Sequence, residues 1–136
     1  MNKKKFLIVL MLLATCALSA QNKLTIVVDG IENLKGHLVV GVYDEENFMK
    51  SSPKYGQIVK VESETITIEL ENVMPGEYAI SLYHDENDNK KLDTGAFGIP
   101  KEKYGFSNNA RGKMGPPKYD DCKFIAEGNM VIYITL

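Results

Sequence analysis

The sequence predicts an all-β domain: a single seven-stranded antiparallel β-sandwich that carries one long ordered loop. Short runs rich in valine, isoleucine and threonine alternate in polarity, as strands with one buried face do. Turn residues such as Asp29-Gly30 and Pro75-Gly76 separate these runs. No run beyond the first twenty residues has a convincing long helical period. Several short strands divided by turns are typical of a sandwich.

The strands are predicted one by one from these local patterns. The fourth run has the cleanest period of two, so Ile66, Ile68 and Leu70 are expected to face inward. Single helical turns are expected at 48–51 and 119–122. The seven predicted strands are 24–28, 37–43, 57–61, 65–70, 77–84, 123–126 and 130–136.

The first twenty residues have the pattern of a secretory signal peptide. Lysines occupy positions 3–5, an apolar run covers 6–13, and small residues precede Ala20, after which we expect cleavage. The apolar run is shorter than the roughly 20 residues of a membrane span. Residues 21–136 are then one exported domain, periplasmic or secreted, without a transmembrane segment. The alternative is a lipoprotein anchored at Cys16, because Leu13-Ala14-Thr15-Cys16 approximates a lipobox.

Charge and cysteine content narrow the classes of partner. Removal of the leader takes away three lysines and no acid, which changes the formal net charge from −2 to −5. Nucleic acids select basic surfaces, so a nucleic-acid partner is not expected. Only Cys122 remains after cleavage, which excludes an internal disulfide. The residue is expected to be a small buried hydrophobe.

Residues 94–118 show no strand pattern for 25 residues and are called the excursion below. Loops of that length are usually functional or disordered. The excursion carries several large apolar side chains that can bury surface, which argues against disorder. We therefore expect an ordered segment that packs over one end of the sandwich. These apolar residues are Phe97, Ile99, Tyr104, Phe106 and Met114.

Residues 85–93 form an oxygen-rich run that directly follows a predicted strand. Asp85, Asn87, Asn89 and Asp93, together with the Lys91 carbonyl, have the spacing of the first nine positions of an EF-hand loop. The closing bidentate Glu is missing, so a calcium ion would bind only weakly, in the range of about 10⁻⁴–10⁻³ M. The alternative is a polar hairpin whose side chains cap their own backbone.

The expected function is non-catalytic binding of a protein, peptide or glycan through residues 84–118. An enzyme needs convergent nucleophile, base and electrophile groups, and the sequence offers one acid-rich loop. The alternative is an envelope hydrolase, metal-assisted or His-based, that uses His84 and Asp85. The candidate ligand-binding residues are His84, Tyr104, Phe106, Ser107, Asn108, Asn109 and Arg111.

The stretch from 78 to 124 resembles the bacterial family called domain of unknown function 2141. The resemblance rests on six features: Tyr78-Ala79-Ile80, His84-Asp85-Glu86-Asn87, a loop closed by Asp93, Gly98-Ile99-Pro100-Lys101-Glu102, Tyr104-Gly105-Phe106-Ser107-Asn108-Asn109 and Gly115-Pro116-Pro117. It implies an exported β-rich protein whose biochemical role is unassigned. Asp88 and Lys90 depart from the family, which commonly has Gly at both positions. Residues 72–78 are also distantly similar to transthyretin-like and collagen-binding B-type modules, a likeness of fold alone.

Overall fold

The protein is described by a computed structural model that covers residues 22–136. The predicted signal peptide and Cys16 lie outside these described residues. The described chain is all-β, as predicted, with one short helix, α1 (Tyr119–Cys122), and two single 3₁₀ turns, Ala96–Gly98 and Ser107–Asn109. Its eight strands are β1 (Leu24–Asp29), β2 (His37–Tyr43), β3 (Tyr55–Lys60), β4 (Ile66–Leu70), β5 (Gly76–Asp85), β6 (Tyr104–Phe106), β7 (Phe124–Ala126) and β8 (Met130–Thr135).

The strands form two sheets. The first has the order β4-β1-β8, and the second has the order β3-β2-β5-β6, with β7 paired to the start of β5. Strands β1 and β8 run parallel, with Ile26 opposite Ile132, so the prediction of an entirely antiparallel arrangement was wrong. These are the first and last strands of the chain. No hairpin fixes their relative direction, and side-chain alternation reads the same in both directions.

One hydrophobic core joins the two sheets through alternate residues of their strands. The first sheet contributes Ile26, Ile68 and Ile134, each 1% exposed or less. The inward positions predicted for Ile66 and Ile68 are confirmed, since both are buried. The second sheet contributes Leu38, Val40, Val42, Tyr78, Ile80 and Leu82.

Strand β6 was missed by the sequence prediction, which gave seven strands instead of the eight observed. It pairs antiparallel with Ser81–Tyr83 of β5. The residue of β6 that faces the core is Gly105, and an added Cβ there would lie 2.6 Å from Ile134 Cγ2. An apolar side chain at this position would have completed the alternating pattern of a strand. The close approach of Ile134 leaves room only for glycine, so the pattern is missing from the sequence.

The excursion packs on the outer face of the second sheet, not over one end of the sandwich. There Phe106 and Cys122 form a second buried cluster with Phe48 and Ala79. The Phe48 ring contacts the rings of Phe106 and Tyr119 edge-on, at centroid distances of 6.1 and 5.6 Å. This cluster anchors the middle of the excursion, at Phe106, and the helix α1 that directly follows it.

Candidate functional site

An apolar trough crosses the outer face of the second sheet. It consists of two adjoining depressions, of 720 and 370 Å³, that share Met49, Ser81, Tyr83 and Leu92. The small residues Gly41 and Ser81 lie opposite each other on β2 and β5. The Tyr43 ring lies over Gly41, where an added Cβ would be 2.6 Å from a ring carbon. The Tyr43 ring fills the space over Gly41, so the face is low at Ser81, between the flanking aromatic residues.

The excursion forms the wall of the trough on the β6 side. Phe97 and Met114 are fully exposed at this wall, and Ile99 is 65% exposed. The expectation that all five apolar residues of the excursion bury surface was therefore wrong for these three. Phe97 also has a φ of 60°, a left-handed conformation that is unfavourable for a side chain with a Cβ. Exposed apolar residues grouped at one concavity mark an interaction surface more often than isolated ones do.

Positive charge is concentrated in the excursion. Residues 94–118 contain five basic residues and one acid, whereas residues 21–93 and 119–136 together contain eight basic and 17 acidic residues. Among the described residues that line the trough, the charged ones are Lys113 in the larger depression and Lys50 in the smaller one. Neither lysine belongs to an ion pair within residues 22–136.

Two of the seven candidate ligand-binding residues line the trough. Tyr104 and Phe106 both contribute to the larger depression, and their rings are 5.9 Å apart in an edge-on contact. Phe106 is buried and Tyr104 is half-buried. Arg111 is exposed in the excursion. The structure therefore brings the aromatic candidates together with Phe97 and Met114.

Ser107, Asn108 and Asn109 act as tethers between elements. The Ser107 hydroxyl accepts the Ile80 N–H at 2.9 Å and donates to the Cys122 carbonyl. It thereby occupies the gap along β5 between the strands β6 and β7. Asn108 donates to the Lys123 carbonyl at 2.9 Å, and Asn109 accepts the Thr135 N–H at 2.9 Å. All three side chains are thus engaged in holding the excursion to β5, α1 and β8.

His84 and Asp85 lie at the end of β5, and each is 1% exposed. The Nε2 of His84 is 2.7 Å from the Lys35 carbonyl, so this nitrogen donates the proton. The Nδ1 of His84 is 3.8 Å from a Glu86 carboxylate oxygen. Asp85 accepts the N–H groups of Asn89 and Lys90, at 3.2 and 2.8 Å. Both side chains are therefore occupied by the protein itself.

The 85–93 loop is closed by hydrogen bonds among its own groups. Asp93 accepts the side-chain amides of Asn87 and Asn89. The hydrogen bond from Asn89, and to a smaller extent that from Asn87, lowers the pKa of Asp93 from its usual value. Asp88 and Lys90 have φ values of 60° and 61°, the left-handed region in which Gly is unstrained. The two non-glycine residues thus occupy positions whose backbone favours glycine.

A polar depression of 540 Å³ lies beside this loop. Of the five predicted metal ligands, Asn87 and Asp93 line it, together with Glu86 and Glu102, which sequence reasoning missed. One Glu102 carboxylate oxygen accepts the Asp93 N–H at 3.0 Å, and the other is inaccessible and has no hydrogen-bond partner among residues 22–136. Within residues 22–136, no three His, Cys, Asp or Glu side chains converge as a metal-binding group. Calcium there would need amide and carbonyl oxygens in addition to the Asp93 and Glu102 carboxylates, and Lys101 also lines the depression.

The Cys122 thiol is buried. Burial raises the pKa of the Cys122 thiol to about 11, with a smaller contribution from the Asp121 carboxylate. A thiol of that pKa is a poor nucleophile at neutral pH.

In the part of the chain that the structure describes, no helix is long and apolar enough to cross a membrane.

Comparison with known proteins identifies the family. No curated protein and no solved structure is significantly similar to the chain. The model of the family described as "Uncharacterized protein conserved in bacteria (DUF2141)" matches residues 26–133, which include every strand from β2 to β7 and most of β1 and β8. The chain therefore belongs to this family, as the motifs between residues 78 and 117 indicated.

Proposed function

We propose that this protein is an exported, non-catalytic module of the bacterial cell envelope that binds a protein, peptide or glycan through the trough. The observation that carries the proposal is the 720 Å³ apolar depression beneath the fully exposed Phe97 and Met114. Exposed side chains of this kind gain free energy when a partner covers them, on the order of 1.5–3 kcal/mol each. The buried cluster around Phe48 holds Phe106, on the floor of the trough, in place before binding, which limits the entropy lost there on association.

Binding is better supported than the hydrolase alternative. Catalysis by His84 and Asp85 requires both side chains to reach a substrate, and each is 1% exposed and bonded within the protein. A ligand in the trough meets aromatic rings, methionines and a serine hydroxyl. Such a lining favours recognition by shape and apolar contact.

Matched pairs of surface substitutions test the proposal. Phe97→Ser with Met114→Ser removes exposed apolar surface at the trough. Val131→Ser with Tyr133→Ser removes exposed apolar surface from the first sheet, where these residues are 49% and 64% exposed. Immobilised protein is exposed to detergent-extracted envelope, and the retained components are quantified. We expect the first pair to lose the specific components and the second pair to keep them. If both pairs lose the retained components equally, the retention is non-specific hydrophobic adsorption, which would contradict the proposal.

Export is part of the same proposal. The lysines at 3–5 and the apolar run at 6–13 support cleavage after Ala20. Intact-mass measurement of the envelope-fraction protein is expected to give a chain that begins at Gln21. A lipid-modified terminus at Cys16 would instead establish an anchored lipoprotein.

A second proposal is that the 85–93 loop binds calcium weakly. The specific observation in its favour is the Glu102 carboxylate oxygen that is inaccessible and unpartnered beside Asp93. The Asn87 and Asn89 amides donate to Asp93 in the closed loop. A half-turn of each amide would present an oxygen in place of the NH₂ group, and it would break the bonds that these oxygens accept from the Asn89 and Lys91 N–H groups. The calcium titration described in the Discussion tests this proposal separately from the trough.

A further inference from the structure

We infer that the occupant of the trough is an extended acidic peptide segment: about three apolar residues flanked on both sides by carboxylates. This inference rests on the proposed binding function and deepens it by specifying the chemistry of the ligand. Its basis is the distribution of charge along the trough together with the length of the apolar floor.

Charge complementarity selects an anionic ligand. The charged residues in the described lining are Lys113 in the larger depression and Lys50 in the smaller one, so each depression has one ammonium group. Both are exposed and unpaired within residues 22–136. The surrounding excursion has five basic residues and one acid in a chain that is acidic elsewhere, and of the five, Lys103 is paired with Glu32. Such a surface attracts anions and repels basic partners.

The dimensions of the trough select an extended chain. Its floor crosses β2, β5 and β6, as the register Gly41–Ser81–Phe106 shows. Two strand spacings of about 4.8 Å give an apolar floor of roughly 10 Å. An extended peptide covers that distance with about three residues at roughly 3.3 Å each. Carboxylates immediately before and after those residues would lie within reach of the long lysine side chains.

A peptide fits these observations better than a membrane surface. A bilayer presents a broad plane of anionic head groups, whereas each lysine belongs to a concave, apolar depression. The concavity admits side chains of an inserted ligand, which a flat surface does not supply. A neutral glycan would leave both ammonium groups without a partner.

Fluorescence anisotropy with labelled synthetic peptides tests the inference on the purified protein. The probe peptide has a Leu-Phe-Val centre with two aspartates on each side, and matched peptides carry lysines or asparagines in place of the aspartates. We expect the aspartate peptide to bind at least tenfold more tightly than the lysine peptide. Lys50→Glu with Lys113→Glu should reverse this order. Lys23→Glu with Lys35→Glu, which makes the same change in charge outside the lining of the trough, should leave the order intact.

The possible failures separate the inference from the proposed function. Equal binding of all three peptides, lost in the Phe97→Ser Met114→Ser protein, would overturn the charge inference while the trough remained a binding site. An aspartate preference that persists in the Lys50→Glu Lys113→Glu protein would overturn the assignment of the lysines. No peptide binding, together with Lys113-dependent sedimentation on phosphatidylglycerol vesicles, would replace the peptide by a membrane surface. If the protein binds neither the peptides nor the vesicles, the inferred ligand class is overturned. The envelope retention assay would then decide the proposed function alone.

Discussion

Replacement of Ile68 by aspartate tests the strand phase on which the whole fold depends. Ile68 is 1% exposed at the centre of β4, opposite Ile26 of β1. Loss of the buried side chain costs about 1.5–3 kcal/mol. An unpaired carboxylate in the same place adds several kcal/mol of desolvation free energy. A domain of this size has a free energy of unfolding of about 5–15 kcal/mol, so the variant should be unfolded or barely folded at 25 °C.

The adjacent residue provides the matched control. Thr67 is exposed on the opposite face of β4, so Thr67→Asp should lower the free energy of unfolding by no more than about 0.5 kcal/mol. Ile68→Ala should remain folded with a loss of about 2–5 kcal/mol, which gives a measurable value if the aspartate variant does not fold. Urea denaturation followed by circular dichroism supplies all three numbers. Equal midpoints for Ile68→Ala and Thr67→Asp would refute the assigned phase.

Three further predictions follow from the loop and the buried thiol. Lys90→Gly should raise the free energy of unfolding by about 0.5 kcal/mol in urea denaturation, because relief of the left-handed strain at φ 61° exceeds the entropic cost of glycine. Calcium at ten times its dissociation constant should raise the melting temperature by several degrees, the equivalent of about 1.4 kcal/mol, and Asp93→Asn should abolish that shift. Cys122 should resist iodoacetamide at pH 8 until urea unfolds the protein. Burial raises the pKa of this thiol from 9.0 to about 11. The contribution of the neutral thiol to the free energy of unfolding should therefore be complete below pH 9 and lost as the pH rises toward 11.

Each of these predictions has a distinct contrary result. A destabilised Lys90→Gly protein would mean that the lysine side chain makes a contact worth more than the backbone strain. A melting temperature indifferent to millimolar calcium, with no heat in calorimetry, would leave residues 85–93 as a polar turn. Rapid alkylation of Cys122 in the folded protein would show that α1 opens readily from β5.

The strands were predictable where alternation was complete. The alternating run at 65–70 identified β4 and its inward face, because burial on one side of a sheet imposes a period of two. Strand β6 was not predictable, since Gly105 occupies its core-facing position and leaves nothing to alternate. The parallel pairing of β1 with β8 is likewise absent from the local pattern, because pairing partners far apart in sequence are chosen by the packed core.

The candidate site was only partly predictable. Tyr104 and Phe106 were identified, and the trough places them beside Phe97 and Met114. From the sequence, Phe97 and Met114 were expected to be buried because they are apolar. Their exposure depends on how the glycine- and proline-rich excursion turns away from the sheet. Ser107 has a hydroxyl that suggested ligand binding, and its engagement with Ile80 becomes visible only when β6 and β7 are in place.

Site-specific photo-crosslinking is the most direct test of the trough as the binding surface. A photoreactive phenylalanine analogue is placed at Phe97, which is fully exposed at the trough, or at Tyr133, which is 64% exposed on the first sheet. The two proteins are irradiated in intact envelopes, and their adducts are compared by mass spectrometry. We expect a discrete adduct from position 97 that disappears when Ser81→Leu fills the trough, and no such adduct from position 133. The same adducts from both positions, or an adduct at 97 that survives Ser81→Leu, would contradict the account.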